Sequence, residues 1–169
     1  MDLEGATYLY TLATLMVTFA GFSALLFVIR QAAGAKLSLL DRFIVRNIMT
    51  YVFVLTAAAL LPVLLALFDM REGSIWRVSA VLFALPMLAL QTTYSVRRRR
   101  LVGEGAPLPI MAVFVVLGSA VTLTMVIYLL FSVQYGPAVY ITALSMDFFT
   151  VVYGFLNALD IIMQQPTAD

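Results

Sequence analysis

The fold class is indicated by a long apolar stretch near the end of the chain, PAVYITALSMDFFTVVYGFLNALDIIM (residues 137–163). Asp147 and Asp160 are its only charged residues, and a membrane-spanning helix needs about 20 mainly apolar residues. The stretch is therefore long enough to cross a bilayer. The whole chain has the same character, because 63% of its 169 residues are hydrophobic and 11% are charged. A soluble domain is about 25% charged, so the composition predicts an integral membrane protein.

Four further apolar stretches reach the length of a membrane span. The five predicted spans cover about residues 7–29, 38–68, 75–96, 108–133 and 137–163. The sequence thus predicts an all-α bundle of five transmembrane helices in a single domain. Ser38, followed three residues later by Asp41, matches a capping box and should begin the second helix. Pro62 and Pro86 fall inside spans, where proline is tolerated if neighbouring groups satisfy the freed carbonyls.

The orientation follows from the basic residues, which concentrate in two of the predicted loop regions. The first region holds Arg30, Lys36, Arg42 and Arg46, and the third holds Arg97, Arg98, Arg99 and Arg100. Cytoplasmic loops carry an excess of arginine and lysine. We therefore expect an outside N-terminus and a cytoplasmic C-terminus, in a bacterial inner membrane. Aromatic residues expected at the outer interface agree: Tyr8, Tyr10, Trp76, Tyr135 and Tyr140.

Several classes of chemistry are excluded by composition. The chain has no cysteine and no histidine, so it offers no thiolate for an iron–sulfur cluster and no imidazole ligand or base. Its only lysine is Lys36, in a predicted loop, so no lysine within the membrane could form a Schiff base. No catalytic constellation, metal-ligand spacing or phosphate-binding glycine loop is visible. We therefore expect no enzymatic activity, no cofactor and no metal site.

Asp147 is the most informative residue of the sequence. It lies ten residues past Pro137, which is about 15 Å into the membrane and near the midplane. An aspartate at that depth costs about 2.5–3.5 kcal/mol, so its side chain should face protein or water. With no basic residue predicted at this depth, Asp147 could be a neutral hydrogen-bonding group, hold a cation or face a water-filled cavity. Interhelical hydrogen bonding and an ion or proton pathway both remain open.

Two of the predicted helices carry polar rows. On the first helix, Thr7, Thr11, Thr14, Thr18 and Gly21 form one narrow stripe, which is interpreted as a packing seam or alternatively as the lining of a hydrated pathway. On the last helix, Thr150, Gly154 and Asn157 follow Asp147 on the same side.

The charged residues nearer the cytoplasm receive simpler interpretations. Asp160 lies about 20 Å beyond Asp147 along the helix, and an interfacial salt bridge to Arg30 or Arg46 is predicted. The alternative is the inner exit of a path from Asp147. The run Arg97, Arg98, Arg99 and Arg100 is predicted to contact anionic lipid headgroups, in preference to a soluble or nucleic-acid partner.

The leading functional hypothesis is a homo-oligomer that passes protons or small cations. Its predicted pathway comprises Asp147, Thr14, Thr18, Thr150 and Asn157. The alternatives are a non-conducting accessory or structural subunit of a larger membrane complex, and a bundle that binds a lipid between its helices. The expected partners are accordingly the bilayer, a second copy of the chain or another membrane protein, and no nucleic acid.

Overall fold

The computed structural model describes the backbone of residues 3–32, 38–102, 109–132 and 134–163. Side chains are described for residues 3–32, 38–100, 115–132, 134–157 and 159. All regular structure in these ranges is helical: α1 (Ala6–Ala32), α2 (Leu39–Ala66), α3 (Glu72–Thr92), α4 (Tyr94–Val102), α5 (Pro109–Phe131) and α6 (Gly136–Met163). Within the described residues, four helices are long and apolar enough to cross a membrane: α1, α2, α3 and the Gly136–Asn157 part of α6. The all-α class is confirmed, and the helices indicate a membrane protein.

Helix α2 begins as predicted. The Ser38 hydroxyl accepts a hydrogen bond from the Asp41 N–H at 3.1 Å, and the Asp41 carboxylate accepts one from the Ser38 N–H at 2.9 Å. This reciprocal pair is a capping box, which satisfies two of the N–H groups that a helix start leaves free. From this start α2 runs through the bundle and packs against α1, α3, α4 and α6.

The predicted third span, 75–96, is interrupted in the structure. Helix α3 ends at Thr92, and the short helix α4 begins at Tyr94. The hydroxyls of Thr92 and Thr93 both donate to carbonyls of the preceding turn, Thr92 to Leu88 and Thr93 to Ala89. Such back-bonding bends helices. The break places the arginine-rich segment on a separate helix, α4, which packs against α2 and α3.

Pro62 lies inside α2 and frees the carbonyl of Ala58, because proline has no N–H to donate to it. The Tyr140 hydroxyl of α6 donates a hydrogen bond to this carbonyl at 2.8 Å, and the Tyr140 side chain is fully buried. The expectation that a neighbouring group would satisfy a proline-freed carbonyl is therefore confirmed at Pro62. The same bond ties α6 to the middle of α2.

We expect Tyr140→Phe to lower the free energy of unfolding by about 0.6–1.7 kcal/mol, between the average and the largest value measured for hydrogen bonds between helices of a membrane protein. In a Pro62→Ala background the cost should be smaller, because the new N–H at position 62 can bond to the Ala58 carbonyl. Unfolding titrations of the four proteins in detergent measure both costs. An equal cost in the two backgrounds would show that the hydroxyl does not compensate for the proline.

One end of the bundle is closed by aromatic side chains. Trp76 and Phe83 of α3 pack around Tyr140, with ring centroids 5.7 Å and 6.3 Å from the Tyr140 ring. All three side chains are at most 1% exposed. We call Trp76, Phe83 and Tyr140 the aromatic layer. It lies near the start of α6 and extends from the start of α3 to its middle. Asp147 follows Tyr140 by two turns of α6, about 10 Å further along the helix.

Candidate functional site

Asp147 is buried inside the bundle, with 1% of its surface exposed. Its Oδ2 accepts a hydrogen bond from the Thr122 hydroxyl of α5 at 3.2 Å. That hydroxyl also lies 2.9 Å from the Gly118 carbonyl of its own helix, and its single proton is shared between these two acceptors. The other carboxylate oxygen, Oδ1, has no hydrogen-bond partner among the described residues. The carboxyl group therefore has a hydrogen bond at one oxygen and none at the other, although both belong to a buried side chain.

A second buried polar group, Gln91 of α3, approaches the same point on α5. Gln91 is 3% exposed, and its Oε1 accepts a hydrogen bond from the Ser119 hydroxyl at 2.9 Å. Gly118 makes the convergence possible, because a Cβ at this position would lie 2.8 Å from Gln91 Nε2 and 3.4 Å from Asp147 Oδ1. The polar site thus joins α3, α5 and α6.

The site borders a cavity of about 90 Å³ between α2, α3, α5 and α6 and the start of α4. We call it the Asp147 cavity. Its walls are mainly apolar, and the polar side chains that line it are Asn47, Tyr51, Gln91, Tyr94, Asp147 and Thr150. A single water needs about 10–15 Å³, so the cavity has room for several. Asp147 lines the cavity, whereas the side chains of the aromatic layer do not. The cavity therefore extends from Asp147 on the side away from that layer.

A second cavity, of about 230 Å³, adjoins the first. It is lined by Phe43, Arg46, Asn47, Arg97 and Arg100, and we call it the arginine pocket. Phe43 and Asn47 line both cavities. Three arginines, Arg46, Arg97 and Arg100, therefore line the cavity that adjoins the Asp147 cavity at the arginine-rich end of the bundle.

The structure separates the five residues of the predicted pathway. Thr150 lines the Asp147 cavity with Asp147, although its hydroxyl donates to the Met146 carbonyl of its own helix at 2.8 Å. Asn157 lies further along α6, is not part of the lining, and donates to the Tyr153 carbonyl at 2.8 Å. Within one chain, only Thr150 of the four hydroxyl and amide residues reaches the cavity.

Thr14 and Thr18 are exposed on α1, and each donates to a carbonyl of its own helix, Tyr10 and Thr14 respectively. The physical reason is the orientation of α1, which packs against α2 and, to a lesser extent, α6. The buried side of α1 carries Leu9, Leu12, Ala13, Met16, Ala20, Ser23 and Phe27. The threonine row lies on another side, so it neither lines the Asp147 cavity nor forms a packing seam within this chain.

The predicted salt bridge of Asp160 lies outside the described side chains. Of its two proposed partners, Arg30 is partly buried, and Arg46 is exposed and lines the arginine pocket. In the predicted lipid-contacting run, Arg97 and Arg98 are partly buried, whereas Arg99 and Arg100 are exposed. The Arg97 Nη2 donates to the Leu90 carbonyl at 2.8 Å, which fixes its guanidinium group against the end of α3.

The sequence did not identify Gln91, Ser119, Gly118 or Thr122 as parts of the site. The available signal was weak: Gln91 is an amide within an apolar stretch, and small residues in a membrane helix usually indicate close packing. Only the packing of α3 and α6 against α5 brings these residues to Asp147.

The fold and the site together define a class: a helical bundle, with four helices long and apolar enough to cross a membrane, that has a buried carboxyl group beside a partly open cavity. No protein-family model, curated protein or solved structure matches the chain. Within the described ranges, no group of three or more acidic, cysteine or histidine side chains could hold a metal ion. The functional argument therefore depends on the geometry around Asp147.

Proposed function

We propose that this chain passes protons across a membrane and that Asp147 is the residue that binds and releases them. One observation carries the proposal: the buried Asp147 carboxyl group has one oxygen without a partner among the described residues, and it borders a cavity large enough for water. Ionisable side chains within membrane helices commonly mark proton or ion paths. Water in the cavity would connect the carboxyl group to the arginine-rich end of the bundle.

The surroundings of Asp147 favour protons over metal cations. Among the described residues, Asp147 is the only acidic one that lines the Asp147 cavity. A proton needs only the carboxyl oxygen, whereas a metal ion needs several oxygen ligands.

The proposal includes the predicted topology. Helix α5 has 23 residues, its described part is apolar, and it packs against α3 and α6, which supports a fifth membrane span. An outside N-terminus in a bacterial inner membrane would place α4 and the arginine pocket at the cytoplasmic side. The threonine row of α1 is exposed in one chain. A homo-oligomer would cover this row.

The direct test is proton flux through purified protein in liposomes that contain a pH-sensitive dye. We expect an outside-acid pH step, with valinomycin and potassium to collapse the membrane potential, to acidify the interior faster than in empty liposomes. Replacing external sodium by choline should leave the rate unchanged. A rate equal to that of empty liposomes would overturn the proposal, and a rate that requires sodium would favour cation transport instead.

A second candidate function, a non-conducting accessory subunit, is favoured by the aromatic layer. Trp76, Phe83 and Tyr140 are fully packed between Asp147 and one end of the bundle, so conduction requires this layer to open. In the accessory role, the exposed threonine row of α1 would be a docking surface and Asp147 a hydrogen-bonding group. Absence of flux, together with a stoichiometric membrane partner purified in mild detergent, would support this role.

A further inference from the structure

The arginine pocket is formed by residues that share one side of each of two helices. Phe43, Arg46 and Asn47 follow an i, i+3, i+4 spacing on α2, and Arg97 and Arg100 follow an i, i+3 spacing on α4. Residues at these spacings lie on one face of a helix. Because α4 packs against α2, the two faces enclose a common space. The pocket is therefore a product of the fold and of the break at Thr93 that starts α4.

Two residues that line the pocket each have a buried polar atom with no hydrogen-bond partner among the described residues: Arg97 Nε and Asn47 Oδ1. The Arg97 guanidinium is already held by the Leu90 carbonyl, so its Nε is a donor fixed in position. The amide oxygen and nitrogen of Asn47 can exchange places by a flip, which would offer two further donors. The described lining contains no acidic residue to balance the three guanidinium charges.

We infer that the arginine pocket binds a phosphate monoester, carried by a lipid headgroup or by a soluble molecule. A guanidinium group presents its N–H donors in a fork that matches phosphate oxygens. A phosphate monoester has three free oxygens and about −1.5 to −2 charge at neutral pH, which suits three arginines better than the single charge of a diester. The volume of about 230 Å³ is below that of pockets for drug-sized ligands, about 300–1,000 Å³, and fits a phosphate with a small substituent.

This site differs from a general attraction of anionic lipids to residues 97–100. Arg97 and Arg100 line the pocket together with Arg46 of α2, whereas Arg99 is exposed and is not part of the lining. In a diffuse electrostatic attraction, each arginine of the run would contribute a similar amount to the binding free energy. A formed pocket instead predicts that Arg46, which is distant in the sequence, matters more than Arg99.

The test titrates short-chain phosphatidic acid into the purified full chain in uncharged detergent, with binding followed by native mass spectrometry. We expect saturable binding of one lipid per chain, at least about tenfold weaker binding of phosphatidylglycerol, a diester, and no binding of phosphatidylcholine. A parallel arm uses inorganic phosphate alone. Comparable binding of inorganic phosphate assigns the pocket to soluble phosphates, and binding of the lipid only assigns it to a headgroup. Equal binding of the monoester and the diester would overturn the inference.

Matched variants locate the site. Arg46→Gln and Arg100→Gln should each weaken monoester binding by about tenfold or more, because each removes a charged donor. Both side chains are exposed, so the fold should tolerate the changes, and the unfolding temperature without ligand checks this. Arg99→Gln removes the same charge outside the pocket and should change the affinity less than about threefold. Equal weakening by Arg99→Gln and Arg46→Gln would overturn the inference.

Discussion

Proton flux is expected to fall to the level of empty liposomes when Asp147 is replaced by asparagine. The amide has nearly the same size as the carboxyl group, and its oxygen can still accept the Thr122 hydrogen bond seen at 3.2 Å. It cannot take up or release a proton near neutral pH. The substitution therefore removes the chemistry proposed for Asp147 while keeping its packing. Flux is measured with the pH-sensitive dye at equal protein content per liposome.

The matched control is Asp69→Asn, the same chemical change in the turn between α2 and α3. Asp69 is exposed and has a positive φ of 52°, a conformation that asparagine adopts readily. We expect its flux to equal that of the unaltered protein. Asp147→Asn should also be no less stable in detergent, because a neutral amide avoids the cost of burying a charge. Full flux in the Asp147→Asn protein would remove Asp147 from the pathway and overturn the proposal that this residue binds and releases the transported protons.

The features that the sequence predicted well depend on local signals. The capping box at Ser38 and Asp41 is a short-range pattern, and the structure reproduces both of its hydrogen bonds. The position of Pro62 identifies the Ala58 carbonyl as the group in need of a donor, although it does not identify Tyr140 as that donor. In each case, the chemistry of one or two residues constrains the backbone directly.

Which sides of the helices face inward could not be predicted, and the reason is physical. In a soluble helix, the apolar stripe marks the buried face. In a membrane, lipid is as apolar as the protein core, so this contrast disappears. Phe148 is 9% exposed and its neighbour Phe149 is 67% exposed, although the two side chains are identical. For the same reason, the polar row of α1 gave no indication that Thr14 and Thr18 would lie on the exposed side.

We expect Gly118→Ala to destabilise the bundle, although alanine is intrinsically the better helix former. The new Cβ would lie 2.8 Å from Gln91 Nε2, which is too close, so the Gln91 amide must move. Gln91 is 3% exposed and bonded to Ser119, so movement costs packing and that hydrogen bond. Overpacking costs about 1–3 kcal/mol, and the helix-propensity gain offsets up to about 1 kcal/mol. We expect a net loss of up to about 2 kcal/mol, measured by unfolding in detergent.

Two further variants test whether the Gln91 contact causes this loss. Gly154→Ala makes the same change on α6, beside the same cavity, where a Cβ would meet nothing within 4 Å. Because the new methyl group displaces no neighbour, only the higher helix propensity of alanine should change the stability, which should stay level or rise. Combining Gly118→Ala with Gln91→Ala removes the displaced amide, so in that background the glycine substitution should no longer be costly. If Gly118→Ala destabilises the protein equally with and without Gln91, the contact with Gln91 does not cause the loss. The glycine would then be needed for the backbone of α5 itself.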